Sequence, residues 1–213
     1  MSLPDELAEQ LLGAIIDGTY PPGGALPSEP ELAELFSMSR LTVREAVTTL
    51  RAQNVVRIER GRGTYVNPPA EWTSLRSMVR AATSPGADPE VADGAHVARR
   101  VLEGGIAELA ALHRTDADLE RLREHLRTLR ETGDPQAHVA FHQAIVRATG
   151  NVFVPLLFEP FTQLLAELPA ETDGDALSRH ERLLAAIEAR DPVAARRFMA
   201  ALLRSRDDSA QSA

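Results

Sequence analysis

One stretch decides the fold of the N-terminal region, and it runs from Gly23 to Val66: GGALPSEPELAELFSMSRLTVREAVTTLRAQNVVRIERGRGTYV. Ser28 and Glu31 have the spacing of a capping box, in which each side chain bonds the backbone amide of the other at the start of a helix. After a short polar turn, Ser39 can cap a second helix. Two short helices joined by a tight turn predict a helix-turn-helix.

Two strand-like runs follow, residues 55–59 and 64–66, with Arg60-Gly61-Arg62-Gly63 between them. A glycine-rich hairpin that carries two arginines at its tip is typical of a wing. Such a wing lies along a phosphate backbone or enters a minor groove.

The charge pattern favours a polyanionic partner. The whole chain is acidic, with a formal net charge of -8, yet residues 40–62 contain six arginines and only two glutamates. A basic island in an acidic protein indicates a face for nucleic acid, although solvated arginines on a small helical domain are the alternative. We predict DNA contacts from the start of the second helix and from the wing: Ser39, Arg40, Thr42, Arg44, Arg60, Arg62 and Gly63.

This stretch resembles the winged helix-turn-helix of GntR-type bacterial transcription regulators. The matching residues are Pro22-Gly23, Leu26-Pro27-Ser28-Glu29, Glu31-Leu32-Ala33, Ser39-Arg40, Val43-Arg44-Glu45-Ala46, Leu50 and Gly61-x-Gly63-Thr64-x-Val66. Two positions depart from the family pattern. Pro30 stands where the family usually has a basic residue that contacts phosphate, and Leu41-Thr42 replaces a Thr-Pro or Thr-Thr pair.

The rest of the chain has helical periodicity and no strand pattern. We therefore predict a mainly α protein: an N-terminal winged helix-turn-helix with a small β-hairpin wing, followed by an all-α antiparallel helical bundle. The predicted domains are residues 1–67 for DNA binding, a linker at 68–92 with a short helix at 71–82 that packs the two domains together, a bundle at 93–206 for effector binding and dimerisation, and a polar tail at 207–213.

Capping signals divide the bundle into helices. Thr115, Asp134 and Asp191 each precede a helical pattern, and Ser178-x-x-Glu181 has the capping-box spacing. A further helix is expected from Asn151 to about Leu168, although Pro160 should kink or break it.

The bundle resembles the effector-binding domain of the FadR branch of the same family. The matching residues are Arg100-x-x-Glu103, Glu108-Leu109-Ala110-Ala111, Phe141-His142, Gly150-Asn151, His180 with Ala186-Ile187, and Asp191-Pro192 with Ala195 and Met199. The resemblance implies a homodimer whose hold on DNA changes when a small acid binds. It also implies that Arg100 contacts the effector and that Asn151 lines its pocket, while an ion pair of Arg100 with Glu103 and a helix cap at Asn151 remain as alternatives.

Three histidines form a candidate metal site. His138 and His142 are four residues apart on one predicted helix, so both imidazoles lie on one face, and His180 in the first turn of a later helix can join them. The resemblance implies one aspartate and three histidines as ligands. His138 replaces the aspartate, and Leu202 stands where the last histidine is expected. The prediction is a weakened site for one divalent ion, Zn or Ni, and the alternative is polar lining without metal.

These features predict a ligand-responsive regulator that binds pseudo-palindromic operator DNA, as a repressor released by a small carboxylate. A metal-dependent hydrolase is an alternative, but His138 to His142 lack the glutamate of a His-Glu-x-x-His motif, which leaves Glu181 as the candidate base. An architectural DNA binder with an inert effector domain is another.

The chain has no cysteine and no apolar run that could span a bilayer, so we expect a cytoplasmic protein without a membrane partner.

Overall fold

The computed structural model describes the backbone of residues 2–167 and 174–210 and the side chains of residues 2–161 and 177–203. The chain divides into two compact units, Met1–Ala95 and His96–Ala213. Within the described backbone, none of the helices combines the length and the hydropathy that a membrane span requires.

The elements follow the predicted order of a winged helix-turn-helix and then helices alone. They are α1 (Leu3–Ile16), α2 (Glu29–Leu35), α3 (Arg40–Ala52), β1 (Val56–Glu59), β2 (Gly63–Val66), a 3-10 turn (Pro69–Glu71), α4 (Leu75–Thr83), α5 (Pro89–His113), α6 (Asp116–Thr132), α7 (Pro135–Ala148), α8 (Val154–Glu167), α9 (Gly174–Glu188) and α10 (Pro192–Ala210).

The first unit confirms the predicted helix-turn-helix. The backbone amide of Ser28 donates to Oε2 of Glu31 at 2.8 Å, which closes the capping box of α2, and Pro30 occupies the first turn of that helix. Ser37, with a φ of 52°, makes the turn before α3. The apolar faces of these helices meet α1 in one core whose largest fully buried members are Leu7, Leu11, Leu32 and Leu50.

The wing is a two-stranded antiparallel sheet in which Val56 lies opposite Val66 and Glu59 lies opposite Gly63. In a further pairing, which no sequence pattern indicated, Ala25 forms a bridge with Tyr65 at the edge of β2. This bridge attaches the wing to the loop that precedes α2.

The segment after the wing contacts the winged helix-turn-helix, and its expected role of packing the two domains together stays a prediction. Trp72 is buried, and its Nε1 donates to the carbonyl of Asn67 at 3.0 Å. On α4, Nη1 of Arg80 lies 2.6 Å from Oε2 of Glu9 on α1. These contacts make residues 68–83 part of the first unit.

The predicted caps of the bundle are confirmed at three helices and wrong at one. Thr115, Asp134 and Asp191 accept backbone amides at the starts of α6, α7 and α10. Ser178 lies inside α9, because that helix already begins at Gly174.

Two helix bounds also differ from the prediction. Helix α8 begins at Val154 rather than at Asn151 and contains Pro160, and α10 continues to Ala210 rather than ending near Arg206. Leu168 and residues 211–213 of the predicted tail lie outside the described residues.

We expect Trp72→Ala to destabilise the DNA-binding unit by about 3–5 kcal/mol, because it leaves a cavity and removes the hydrogen bond to Asn67. Chemical denaturation followed by circular dichroism measures the loss. Leu75→Ala is the control, since Leu75 is 43% exposed in the same segment. Equal stability of the two variants would contradict the docking of this segment.

Candidate DNA-binding and effector-binding sites

Helix α3 has one buried face and one exposed basic face. Val43, Ala46, Val47 and Leu50 are at most 3% exposed, whereas Arg40 and Arg44 are exposed in the first two turns. The exposed guanidiniums stand where a recognition helix meets bases and phosphates.

Ser39 and Thr42 have a structural role at the same end of α3. The amide of Thr42 donates to Oγ of Ser39 at 3.1 Å, and the two hydroxyl oxygens lie 2.8 Å apart. The pair therefore fixes the start of the recognition helix. Their contacts with DNA remain a prediction.

The wing presents its arginines unequally. Arg60 is exposed at the tip, whereas Nη1 of Arg62 lies 2.7 Å from Oε2 of Glu59. Arg57, the third arginine of the hairpin, donates from Nη1 to Oδ1 of the buried Asn67 at 3.0 Å. The base of the wing is thus anchored, and the tip with Gly61 and Gly63 at positive φ turns outward to solvent.

The second unit brings the three predicted histidines together. His138 and His142 on α7 and His180 on α9 are at most 3% exposed. Their ring centroids lie 4.7 Å, 5.3 Å and 6.0 Å apart, and each offers one nitrogen within 4.8 Å of those of the others. His180 belongs to the second turn of α9 rather than the first, because the helix begins earlier than predicted.

A buried ion pair borders this cluster. Nε of Arg99 donates to Oε1 of Glu103, one helical turn along α5, and both side chains are at most 3% exposed. Oε2 of the same carboxylate lies 3.0 Å from Nδ1 of His142. Burial acts to raise the pKa of Glu103, but the charge of Arg99 and the contact with His142 outweigh it and lower the pKa to about 2.

Arg100 and Asn151, the residues expected to contact the effector, are both accessible to solvent. Arg100 is partly exposed, and its neighbour Arg99 is the arginine that points into the bundle and pairs with Glu103. Asn151 is exposed, and its Oδ1 accepts the amide of Phe153 at 2.8 Å just before α8. Leu202 is buried on α10. A role of Arg100 or Asn151 toward an effector stays a prediction.

Comparison with known proteins covers both units. Residues 3–66 match the gntR family of bacterial regulatory proteins, and residues 95–205 match the FCD domain. The chain belongs to the GntR family. It is a ligand-responsive, DNA-binding transcription regulator with an FCD effector domain, as predicted, and relatives of this kind are regulators rather than enzymes.

Three relatives illustrate the similarity. The HTH-type transcriptional regulator LutR of Bacillus subtilis (strain 168) is 36% identical over 164 residues, which cover 74% of this chain and 73% of that protein. The galactonate operon transcriptional repressor of Escherichia coli (strain K12) is 29% identical over 154 residues, covering 69% and 67%. The solved structure of Streptococcus agalactiae GntR has a TM-score of 0.51 and 28% identity and covers 96% of this chain and 99% of that one.

Sequence reasoning missed Arg99 in this GntR-family chain. The motif Arg100-x-x-Glu103 drew attention to Arg100. The spacing of four residues from Arg99 to Glu103 also places those two side chains on one helix face. The spacing of four residues was the available signal, but the sequence alone could not show whether Arg99 or Arg100 is buried.

We expect Arg40→Ala and Arg44→Ala each to weaken binding to the specific operator by about 1–3 kcal/mol, because each removes a charged donor from the exposed start of α3. Titration of a labelled operator by fluorescence anisotropy measures this loss. Arg51→Ala is the matched control, since it removes the same charge from the last turn of the same helix. The recognition-helix assignment fails if both variants keep the parental affinity.

We expect Arg60→Ala to flatten the slope of log affinity against log salt by about one unit, the value for one lost phosphate contact. Arg62→Ala should change the slope less, because Glu59 already neutralises part of its charge. Glu59→Gln removes that partner and should steepen the slope. Parental slopes for all three variants would show that the wing does not contact phosphate.

Proposed function

We propose that this regulator is a repressor that leaves its operator when a small organic acid binds in the helical bundle beside one Zn or Ni ion. The supporting observation is the buried cluster of His138, His142 and His180, whose ligand nitrogens lie within 4.8 Å of one another. A relative that is named a transcriptional repressor, that of the galactonate operon, supports the repressor role.

The three imidazole nitrogens suit a divalent metal ion that is neither very hard nor very soft. Imidazole nitrogens are ligands that zinc and nickel accept, and three protein ligands leave a coordination position open. Leu202 is buried and has no donor atom, so its position supplies no ligand, and the side chains described at 2–161 and 177–203 bring three histidine ligands together. A bound ion would provide positive charge that holds an oxygen of the effector carboxylate.

The charge balance favours an acid with two negative charges. Imidazoles bind a metal ion in their neutral form, so three histidines and a divalent ion together carry a charge of about +2. Arg99 and Glu103 cancel each other and add nothing to this sum. Because uncompensated buried charge is costly, a dicarboxylate offsets the site better than a monocarboxylate does.

Release from DNA requires that the acid distinguish two states of the protein. We propose a homodimer in which two α3 helices read the halves of a pseudo-palindromic operator in the cytoplasm. The acid must bind the free form more tightly than the DNA-bound form, since a ligand with equal affinity for both shifts nothing.

The two alternative functions have weaker support. A hydrolase needs a general base beside the histidines, but Glu181 is 46% exposed and pairs with Arg130. Glu103, with a pKa of about 2, is too weakly basic for proton transfer at neutral pH. An inert architectural domain has no need of buried ionisable groups, which are costly where packing alone is required.

The test measures operator affinity with zinc or nickel and a panel of mono- and dicarboxylates, on an operator selected from random DNA. We expect a dicarboxylate with metal to weaken operator binding by about tenfold or more, a typical coupling between two sites. The same combination should raise the melting temperature, because the ligand binds the folded protein.

His142→Ala and Leu202→His are the diagnostic variants. The first removes a ligand and should lose metal and acid response but keep operator affinity, while the second should bind metal more tightly than the parent. His113→Ala is the control, because His113 is exposed at the end of α5. An unchanged acid response of His142→Ala would rule out the histidine cluster as the effector site.

A further inference from the structure

A buried carboxylate lies behind one histidine of the cluster. Glu103 is 1% exposed and contacts two groups: its Oε1 accepts from Nε of Arg99, and its Oε2 lies 3.0 Å from Nδ1 of His142. Arg99 thus holds Oε1 by a hydrogen bond, and Oε2 lies in contact with the imidazole of His142.

Glu103 is a neighbour of the metal-ligand set rather than a member of it. Among the described residues, the group whose ligand atoms lie within 4.8 Å of one another consists of the three histidines alone. A histidine that binds metal through one ring nitrogen usually donates the hydrogen of its other ring nitrogen. A carboxylate next to the ligand set is placed to accept that hydrogen.

We infer that Glu103 is a positioning residue that keeps the hydrogen of His142 on Nδ1, so that Nε2 carries the lone pair that binds the metal. Arg99 acts one step further away and holds Glu103 in place. The inference rests on the metal site proposed above, but it makes a claim about the apo protein as well. It explains why a salt bridge is buried beside three histidines.

The choice of tautomer follows from the 3.0 Å contact. A neutral imidazole has one nitrogen that donates and one that accepts. With the hydrogen on Nε2, the lone pair of Nδ1 would face a carboxylate oxygen at 3.0 Å, and two acceptors would repel each other in a buried site. With the hydrogen on Nδ1, the same contact becomes a charge-assisted hydrogen bond.

The position of Arg99 agrees with this role. It lies four residues before Glu103 on α5, so both side chains project from one helix face.

The first measurement determines the tautomer without metal. Long-range nitrogen–proton NMR on the histidine-labelled apo protein at about pH 8, above the pKa of a free imidazole, distinguishes the two neutral tautomers from each other and from the doubly protonated ring. His142→Ala identifies the signals of that ring. We expect the hydrogen on Nδ1 in the parent and a loss of this preference in Arg99→Met/Glu103→Leu. That double variant replaces the buried pair with apolar groups of similar size, a change that proteins often tolerate.

The second measurement compares zinc affinity by competition with a chromophoric chelator. We expect Glu103→Gln and the double variant to bind zinc about 10–100-fold more weakly, the usual effect of losing an outer-shell partner. Glu108→Gln is the matched control on the same helix, because Glu108 is partly exposed and pairs with Arg196. Cobalt absorption spectra of each variant report whether the geometry of the site has changed.

Two results would overturn the inference: a hydrogen on Nε2 of His142 in the apo parent, or a folded double variant whose zinc affinity stays within about twofold of the parent. A parent that takes up no zinc would instead refute the proposed metal site. In that case the tautomer of His142 still decides whether Glu103 orients this ring.

Discussion

The burial of ionisable groups is the constraint on which the second unit depends. Arg99, Glu103 and three histidines are all nearly inaccessible to solvent within the helical bundle. A charge left alone there would cost several kcal/mol, so Arg99 and Glu103 must be adjacent, and their spacing of four on α5 makes them so. An apolar pair of similar size often gives equal or greater stability, so the stability of the unit alone does not require these buried polar groups.

The first unit is governed by local signals, which is why the sequence predicted it well. Capping boxes, a polar turn and a glycine-rich hairpin each act over a few residues and need no partner from elsewhere in the chain. The capping box of Ser28 and Glu31 formed as expected, and the arginines at the start of α3 are exposed because the opposite face supplies the core. The bridge between Ala25 and Tyr65 lacked such a signal, since it joins segments 40 residues apart.

The second unit could be predicted only in outline. The i,i+4 histidines and the later His180 were visible in the sequence, and the structure brings them together. The sequence did not show which arginine is buried. Residues three and four before Glu103 lie on nearly the same helix face, and packing decides which of them points inward. Ser178 failed as a cap for a similar reason. A serine followed by a glutamate three residues later also occurs inside a helix, and only the position of Gly174 shows that α9 has already begun.

Asn67 connects the wing with the segment that follows it. Its Oδ1 accepts from Arg57 in β1 at 3.0 Å, its Nδ2 donates to the carbonyl of Asn54 at 2.9 Å, and its own carbonyl accepts from Trp72. Asn67 is 2% exposed, so its amide depends on these protein partners rather than on water. A displacement of Trp72 would remove the indole donor from the carbonyl of Asn67. The wing and the segment that follows it are thus joined at one buried residue, whose side chain bonds the wing and whose carbonyl accepts from Trp72.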